Sequence, residues 1–411
     1  MSGIKQQFQP GANHRSTLGF VDLFSGAGGM SYGFFKHPAF QVLGAADAEL
    51  AKPSMSAGSL QCNFTYEANM GIRPVRLDLS KVDPDELRGK LGIGNARVDV
   101  LSVCPPCTGF SRTNPLNHLR DDGRNNLVKR AAHFATSLNA DVIVMENARE
   151  LLQGNFAEHF AAFRAHLEGR GYKIEARIYV LTKFGLPQIR ERAIVIAAKQ
   201  HLTLRTLDDL WEGCRVAKSA VTVRAALTRI PARATAQDQF PMFAGETVAA
   251  RLAAVPKDGG SWIDLTRHRQ AESLMTDGMK KILAGGNLGS HPDIYGRMWW
   301  DRPAPTIKRE CAHIGNGRYA HPEENRLCSV REMACLQGFP SEFQFAGAAM
   351  SNNYRHIGDA VPPLVSHQLA HVCHWILSGT RPRLTSSILK GTHLRSRDLQ
   401  SDEEMRLTHA S

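Results

Sequence analysis

Short apolar runs rich in β-branched residues recur through the first half of the chain and alternate with stretches of helical periodicity. Residues 19–24 (GFVDLF), 42–46, 74–79, 98–103, 141–145, 173–179 and 193–198 read as strands; 31–36, 127–138 and 156–168 read as helices. The run 98–103 has no polar face, as expected of a strand buried on both sides. This rhythm predicts an α/β fold. It stops at about residue 199. From there to 301 the chain is a mixed basic and apolar stretch, with Gly-Gly pairs at 259–260 and 285–286 and Trp262, Trp299 and Trp300 among arginines and lysines. That segment is expected to form a second, smaller domain. An apolar helix over 364–377 follows, and the Arg-, Ser- and acid-rich tail from Ser378 is expected to carry little order, as is the polar leader 1–18.

The candidate chemistry lies at strand ends. After the first strand comes Ser25-Gly26-Ala27-Gly28-Gly29-Met30, a turn whose glycines let the backbone approach a ligand, although a plain strand-to-helix connection reads the same way. Strand two ends in Asp47-Ala48-Glu49, placing an acid where a carboxylate can accept both hydroxyls of a ribose. Strand three ends near Asp78, which could accept from an adenine amino group; either acid could instead cap the next helix. Strand four runs into Cys104-Pro105-Pro106-Cys107. The prolines stop the strand and stiffen the turn, so Cys107 is held at the sheet edge where α/β folds bind ligands. A buried packing role, a redox pair or half a zinc site are the other readings of these cysteines, but no second CxxC or HxxxH completes a metal site. The long loop after Cys107 carries Arg112, Arg120 and Arg124, which suits a flap over a polyanion or a solvated basic loop. Strand five ends in Glu146-Asn147-Ala148, on the same edge as Cys107. In Gln188-Ile189-Arg190-Glu191-Arg192, strand alternation turns Gln188, Arg190 and Arg192 to one face.

Charge changes the picture modestly. Fifty Lys+Arg against 39 Asp+Glu give +11, which favours a polyanionic partner. Eight irregularly spaced cysteines do not make a disulfide framework, and no apolar run approaches membrane-spanning length, so a cytoplasmic setting is expected.

Taken in order, DLFSGAGG, Asp47, Asp78, PPCTGFS, DGRNNL, ENA, QIRER, RPAPTI, RE-A-LQGFP and GDAV resemble the cytosine-C5 DNA methyltransferases of bacterial restriction–modification type, from Phe20 to about Ala370. The resemblance implies a Rossmann-like S-adenosylmethionine-dependent methyltransferase fold with a smaller target-recognition domain. Residues 19–198 would hold the cofactor and the chemistry, 199–301 would read the target, and 302–377 would complete the small domain and return a helix to the first, leaving 378–411 as a flexible tail. The cofactor would bind at Phe24, packed on the adenine, and at Ser25, Gly26, Gly28, Gly29, Asp47, Ala48, Asp78, Leu79, Pro105, Leu127, Asp359 and Ala360. Cys107 would add to C6 of a cytosine flipped out of duplex DNA, on a turn stiffened by Pro106, making C5 an enamine carbon able to take a methyl group. Glu146 would bind N3 and the exocyclic amine, Arg192 would hold the O2 side, and Arg190 would support them. The resemblance further implies a monomer acting on double-stranded DNA, with a separately acting cognate endonuclease, no metal and no membrane.

Three positions depart from the family pattern: Val103-Cys104 where two glycines are common, Ala148 where valine is usual, and Asp359 where asparagine is usual. An RNA methyltransferase of the same fold would carry a Cys-Phe-Thr signature that the variable segment lacks, and a catalytically dead scaffold has no reason to hold Cys107, Glu146 and Arg192 together.

Overall fold

The computed structural model describes residues 17–50, 59–106, 126–155, 157–243, 245–286, 288 and 292–402. Its apolar runs form β1 (Leu18–Leu23), β2 (Phe40–Asp47), β3 (Val75–Arg76), β4 (Val100–Val103), β5 (Val142–Ala148), β6 (Tyr172–Val180) and β7 (Glu191–Lys199). They make one sheet in the order β3-β2-β1-β4-β5-β7-β6. The first five strands run parallel, while β7 is antiparallel to both β5 and β6.

Period-two alternation explains why these strands look uniformly apolar. In β1, β4 and β5, Phe20, Val100, Val142 and Val144 face one side. Val21, Leu23, Leu101, Val103, Ile143 and Met145 face the other. The first side is covered by the helices Gly29–Phe35 and Pro363–Ser378, the second by Asn126–Ser137 and Ala157–Glu168. Burying each Val, Leu, Ile or Phe contributes roughly 1.5–3 kcal/mol. The first two helices approach closely because of Gly33, where a Cβ would lie 2.3 Å from the His367 nitrogen.

Strand three is shorter than the pattern predicts. Asp78 Oδ1 accepts from the Ser80 backbone N–H at 3.1 Å and from its hydroxyl at 2.6 Å, turning the chain out of the sheet two residues after β3.

The second half packs around one apolar cluster that includes Trp262, Met298, Tyr319, Leu336, Phe339 and Tyr354. Arg297 is fully buried within it and donates to the carbonyls of Val255, Leu252, His321 and Glu324. This guanidinium ties together loops that lack a ladder of their own. The expectation of little order after Ser378 fails over residues 379–402. Leu389 and Leu394 are buried in the same cluster, Leu399–Ser401 pairs antiparallel with Cys214–Val216, and Asp398 takes a two-pronged contact from Arg229 at 2.5 and 3.0 Å. Leucines five residues apart (Leu384, Leu389, Leu394 and Leu399), a spacing of neither helix nor strand, dock this tail, so composition alone misleads. Among the described residues, no helix is long and apolar enough to cross a membrane.

Candidate active site

The carboxyl edge of the sheet gathers two sets of groups. The first is a cradle. Phe24 leaves β1 with φ +62°, a left-handed conformation uncommon outside glycine, and Gly26 (φ +50°) and Gly28 (φ +90°) continue the turn. The Gly26 N–H donates to Asp47 Oδ2 at 2.9 Å, and the Ser25 N–H to the Ala46 carbonyl at 3.1 Å, which locks the loop to the tip of β2. A Cβ on Gly28 would come within 2.3 Å of Met70, whereas one on Gly26 would meet nothing within 4 Å. The loop is therefore packed behind and open in front. Among the described residues, two buried polar atoms beside it, Ser25 Oγ and Asp22 Oδ1, have no well-aligned hydrogen-bond partner. Burial pushes the Asp22 carboxyl up to about 7, with the Ser31 hydroxyl at 2.6 Å and Ser102 opposing and Asp47 adding to the rise. Orphaned acceptors around an open glycine turn fit a bound polar cofactor.

The return segment closes this cradle. A Cβ on Gly29 would lie 2.3 Å from the Val361 carbonyl and 3.0 Å from Ala360 Cβ. Asp359 pairs with Arg309 at 3.2 Å. Its carboxyl is 41% accessible, yet the surrounding protein desolvates it and raises it to about 6, against the pull of Arg309 and Arg190 and with help from Asp47 and Glu310. The two observations together place it in a recess.

The second set is an acid between arginines. Glu146, near the end of β5, is 8% exposed; Arg192 Nε lies 2.9 Å from its Oε1, and Arg190 Nη2 lies 4.0 Å away. Among the described residues that oxygen has no aligned hydrogen bond, so the contact is coulombic and leaves acceptor capacity. Antiparallel register sets Glu146 opposite Ile194 and Ala148 opposite Arg192, which brings the QIRER arginines to the glutamate. Arg190 is held by the carbonyls of Ile307 (3.1 Å) and Ala360 (3.3 Å).

Several of the expected residues meet at this edge: Ser25, Gly26 and Asp47 in the loop, Gly29 and Ala360 behind it, Glu146, Arg190 and Arg192 beside it. Ala48 stands half-buried next to Asp47, and exposed Pro106 ends the described part of the turn. Others are engaged elsewhere. Asp78 is committed to its own Ser80 turn and to Lys81, while Leu79 and Leu127 are buried side chains. Cys107 and the arginines of the following loop lie outside the described residues.

Cys104 is separated from its neighbour in the motif by environment. Its sulfur accepts from the Glu146 N–H at 3.3 Å, and burial, with Asp22 and Glu146 nearby, holds the thiol well above its ordinary range. A thiol kept protonated in this way packs and does not attack.

Sequence reasoning missed three supports. Asn147 donates from its buried amide to the Pro105 carbonyl at 3.0 Å, tying the proline turn to β5. Gln188 and Gln337 pair at 2.6 Å, and Gln337 also reaches the Ala360 carbonyl at 2.9 Å. Arg309 finds Asp359 fifty residues on. The only available signal was their place inside ENA, QIRER, LQGFP and RPAPTI or just beyond it.

A largely parallel sheet with a reversed β7 between β5 and β6, a glycine loop locked to an acid on β2, and an acid–arginine pocket two strands away define a group-transfer enzyme with a nucleoside cofactor. The chain belongs to the C-5 cytosine-specific DNA methylase family, whose description matches residues 18–375. It is a DNA (cytosine-5-)-methyltransferase that uses S-adenosylmethionine. It is 30% identical over 389 residues to the type II methylase M.HgiDII of Herpetosiphon aurantiacus, covering 88% of this chain and 97% of that one. It is 27% identical to the type II methyltransferase M1.HphI of Haemophilus parahaemolyticus, covering 86% of each. A solved structure described as a putative DNA modification methyltransferase encoded within an E. coli prophage aligns with TM-score 0.60 at 22% identity, covering 88% of this chain and all of that one. Dnmt2 of S. pombe aligns with TM-score 0.56 at 17% identity, covering 88% and 99%.

Proposed function

We propose that Cys107, Glu146, Arg190 and Arg192 carry out the methylation, on a cytosine turned out of duplex DNA, beside a cofactor held by Phe24 through Gly29, Asp47, Ala48, Asp359 and Ala360. The observation that carries this reading is Glu146, buried near the end of β5 with Arg192 at 2.9 Å and acceptor capacity to spare. Cys107 follows Pro106 directly in the sequence.

Cytosine C5 is a poor carbon nucleophile until something adds at C6. The Cys107 thiolate forms the S–C6 bond while Glu146 places a proton at N3 and accepts from the exocyclic amine, and Arg192 holds O2. The ring electrons then reside at C5 as an enamine. Bound S-adenosylmethionine supplies a methyl group made electrophilic by its sulfonium. Loss of the C5 proton to water, cleavage of the S–C6 bond and return of the N3 proton to the Glu146 carboxylate then restore aromaticity and return Cys107 as thiolate. Arg190 positions the pocket, and Asn147 holds the proline turn through Pro105.

The recognition role falls to residues of 199–301, and the +11 charge supplies salt-dependent phosphate attraction. Relatives named type II methyltransferases support a restriction–modification setting, in which a monomer works in the cytoplasm and a cognate endonuclease acts separately.

Single-base mapping of 5-methylcytosine, in DNA from a host without its own cytosine methylation, tests the assignment. One short motif methylated with the intact chain, and none with Cys107→Ala, is the expected result. Residual methylation by the variant would remove Cys107 from the mechanism.

A further inference from the structure

The cradle and the base pocket meet at one accessible carboxyl. Asp359 precedes Ala360, whose carbonyl takes Arg190 from the base pocket and whose Cβ lies against Gly29 of the cradle. The charged groups that act on Asp359 are Arg309, Arg190, Asp47 and Glu310, drawn from both the base pocket and the cradle. Arg309 reaches it at 3.2 Å from the segment on which Gly358 rests, where a Cβ would meet Lys308 and Arg309 backbone at 2.4–2.5 Å. The contact is thus fixed by backbone packing.

Substrate and product of the cofactor differ by one methyl group and one charge. S-adenosylmethionine has a permanent sulfonium, and S-adenosylhomocysteine has a neutral thioether in its place. The reacting sulfur must face the base, so the charge that distinguishes the two must stand where cradle and base pocket join. We infer that Asp359, tuned by its Arg309 partner, is a specificity residue that favours the methylated, cationic cofactor over the demethylated product and so hastens exchange after each turnover. This rests on the cofactor-cradle reading above. The ribose and adenine contacts are shared by both ligands and cannot discriminate; a carboxylate at the junction can, through Coulomb attraction that its 41% accessibility reduces without abolishing. Arg309 offsets part of that attraction, so removing either member of the pair moves discrimination in opposite directions.

The test is calorimetric titration of the full chain with S-adenosylmethionine, S-adenosylhomocysteine and sinefungin, whose amine replaces the sulfonium methyl. Asp359→Asn, nearly isosteric, is expected to lower the ratio of product Kd to substrate Kd by about tenfold. Sinefungin should follow the substrate. Arg309→Gln is expected to raise the ratio. Asp47→Asn, acting on the shared ribose, should weaken all three ligands alike. An unchanged ratio in Asp359→Asn, or equal weakening of all ligands by it, overturns the inference while a working Asp47→Asn control keeps the cradle. If Asp47→Asn changes no ligand, the cradle reading fails and the inference falls with it.

Discussion

Strands β4 and β5 carry buried acids at both ends, and the two ends are completed differently. At the amino end, Asp141 offers one oxygen to Lys199 at 2.8 Å and the other to Arg97, and Asp99 takes the Gly19 N–H at 2.6 Å and Arg97 at 3.1 Å. Every oxygen there is used. At the carboxyl end, Glu146 is also buried, yet among the described residues its nearest cation, Arg192, approaches without an aligned hydrogen bond. A carboxylate surrounded by fixed donors can do little except hold strands together, whereas one with a positioned cation and spare lone pairs can bind or move a proton for something that arrives later.

The contrast can be broken most sharply at Glu146. Glu146→Gln should lower kcat/KM by about a hundredfold or more at an unchanged urea midpoint. Loss of folding together with activity would make the residue structural. A third region, away from both edges, adds a pH dimension. His37, His367, His371 and His374 cluster between the two helices on the first face, with His37 and His371 ring centroids 4.3 Å apart. Burial, first, and then the neighbouring rings lower His37 to about 3; burial and His367 lower His371 to about 4. Because the folded values lie below the unfolded one near 6.5, these rings bind protons more readily in the unfolded chain. Their contribution is complete above pH 6.5 and is lost as pH falls toward 4, by roughly 2–3 kcal/mol per ring. Urea midpoints followed over that range should fall steeply in the parent and less steeply in His371→Phe; parallel curves would assign the acid sensitivity elsewhere. Asp141→Asn, the counterpart of the Glu146 change, should cost about 2 kcal/mol of stability and leave the kcat/KM of the folded fraction within about threefold. The smallest effect belongs to Asn147→Ala. Freed from its amide clamp, the Pro105 turn should reduce kcat about tenfold with cofactor affinity unchanged, and an equal loss in affinity would mean that the clamp serves the cradle instead.

Much of this architecture is legible in the residues because strands buried on both faces announce themselves as apolar runs, and because loop glycines and edge acids sit at fixed places relative to them. Asp47 is found that way, and so are Glu146 and the arginines of QIRER. What escapes is whatever depends on partners far away in the chain. Gln188 with Gln337, Asn147 with Pro105 and Arg309 with Asp359 are decided by packing. The tail misleads for the converse reason: its arginines and serines dominate the composition, and the leucines that dock it recur every five residues, a spacing that signals neither helix nor strand.

The position of Ala360 has a consequence for the order in which the enzyme comes into being. Its carbonyl receives both Arg190 and Gln337, and its methyl group closes the back of a loop made more than three hundred residues earlier. During synthesis the glycine loop, the proline turn and the arginines all emerge from the ribosome before the residue that braces them. A nascent chain therefore carries the chemical groups of the reaction without their common support, and its competence arrives late and abruptly, when the last wall is laid.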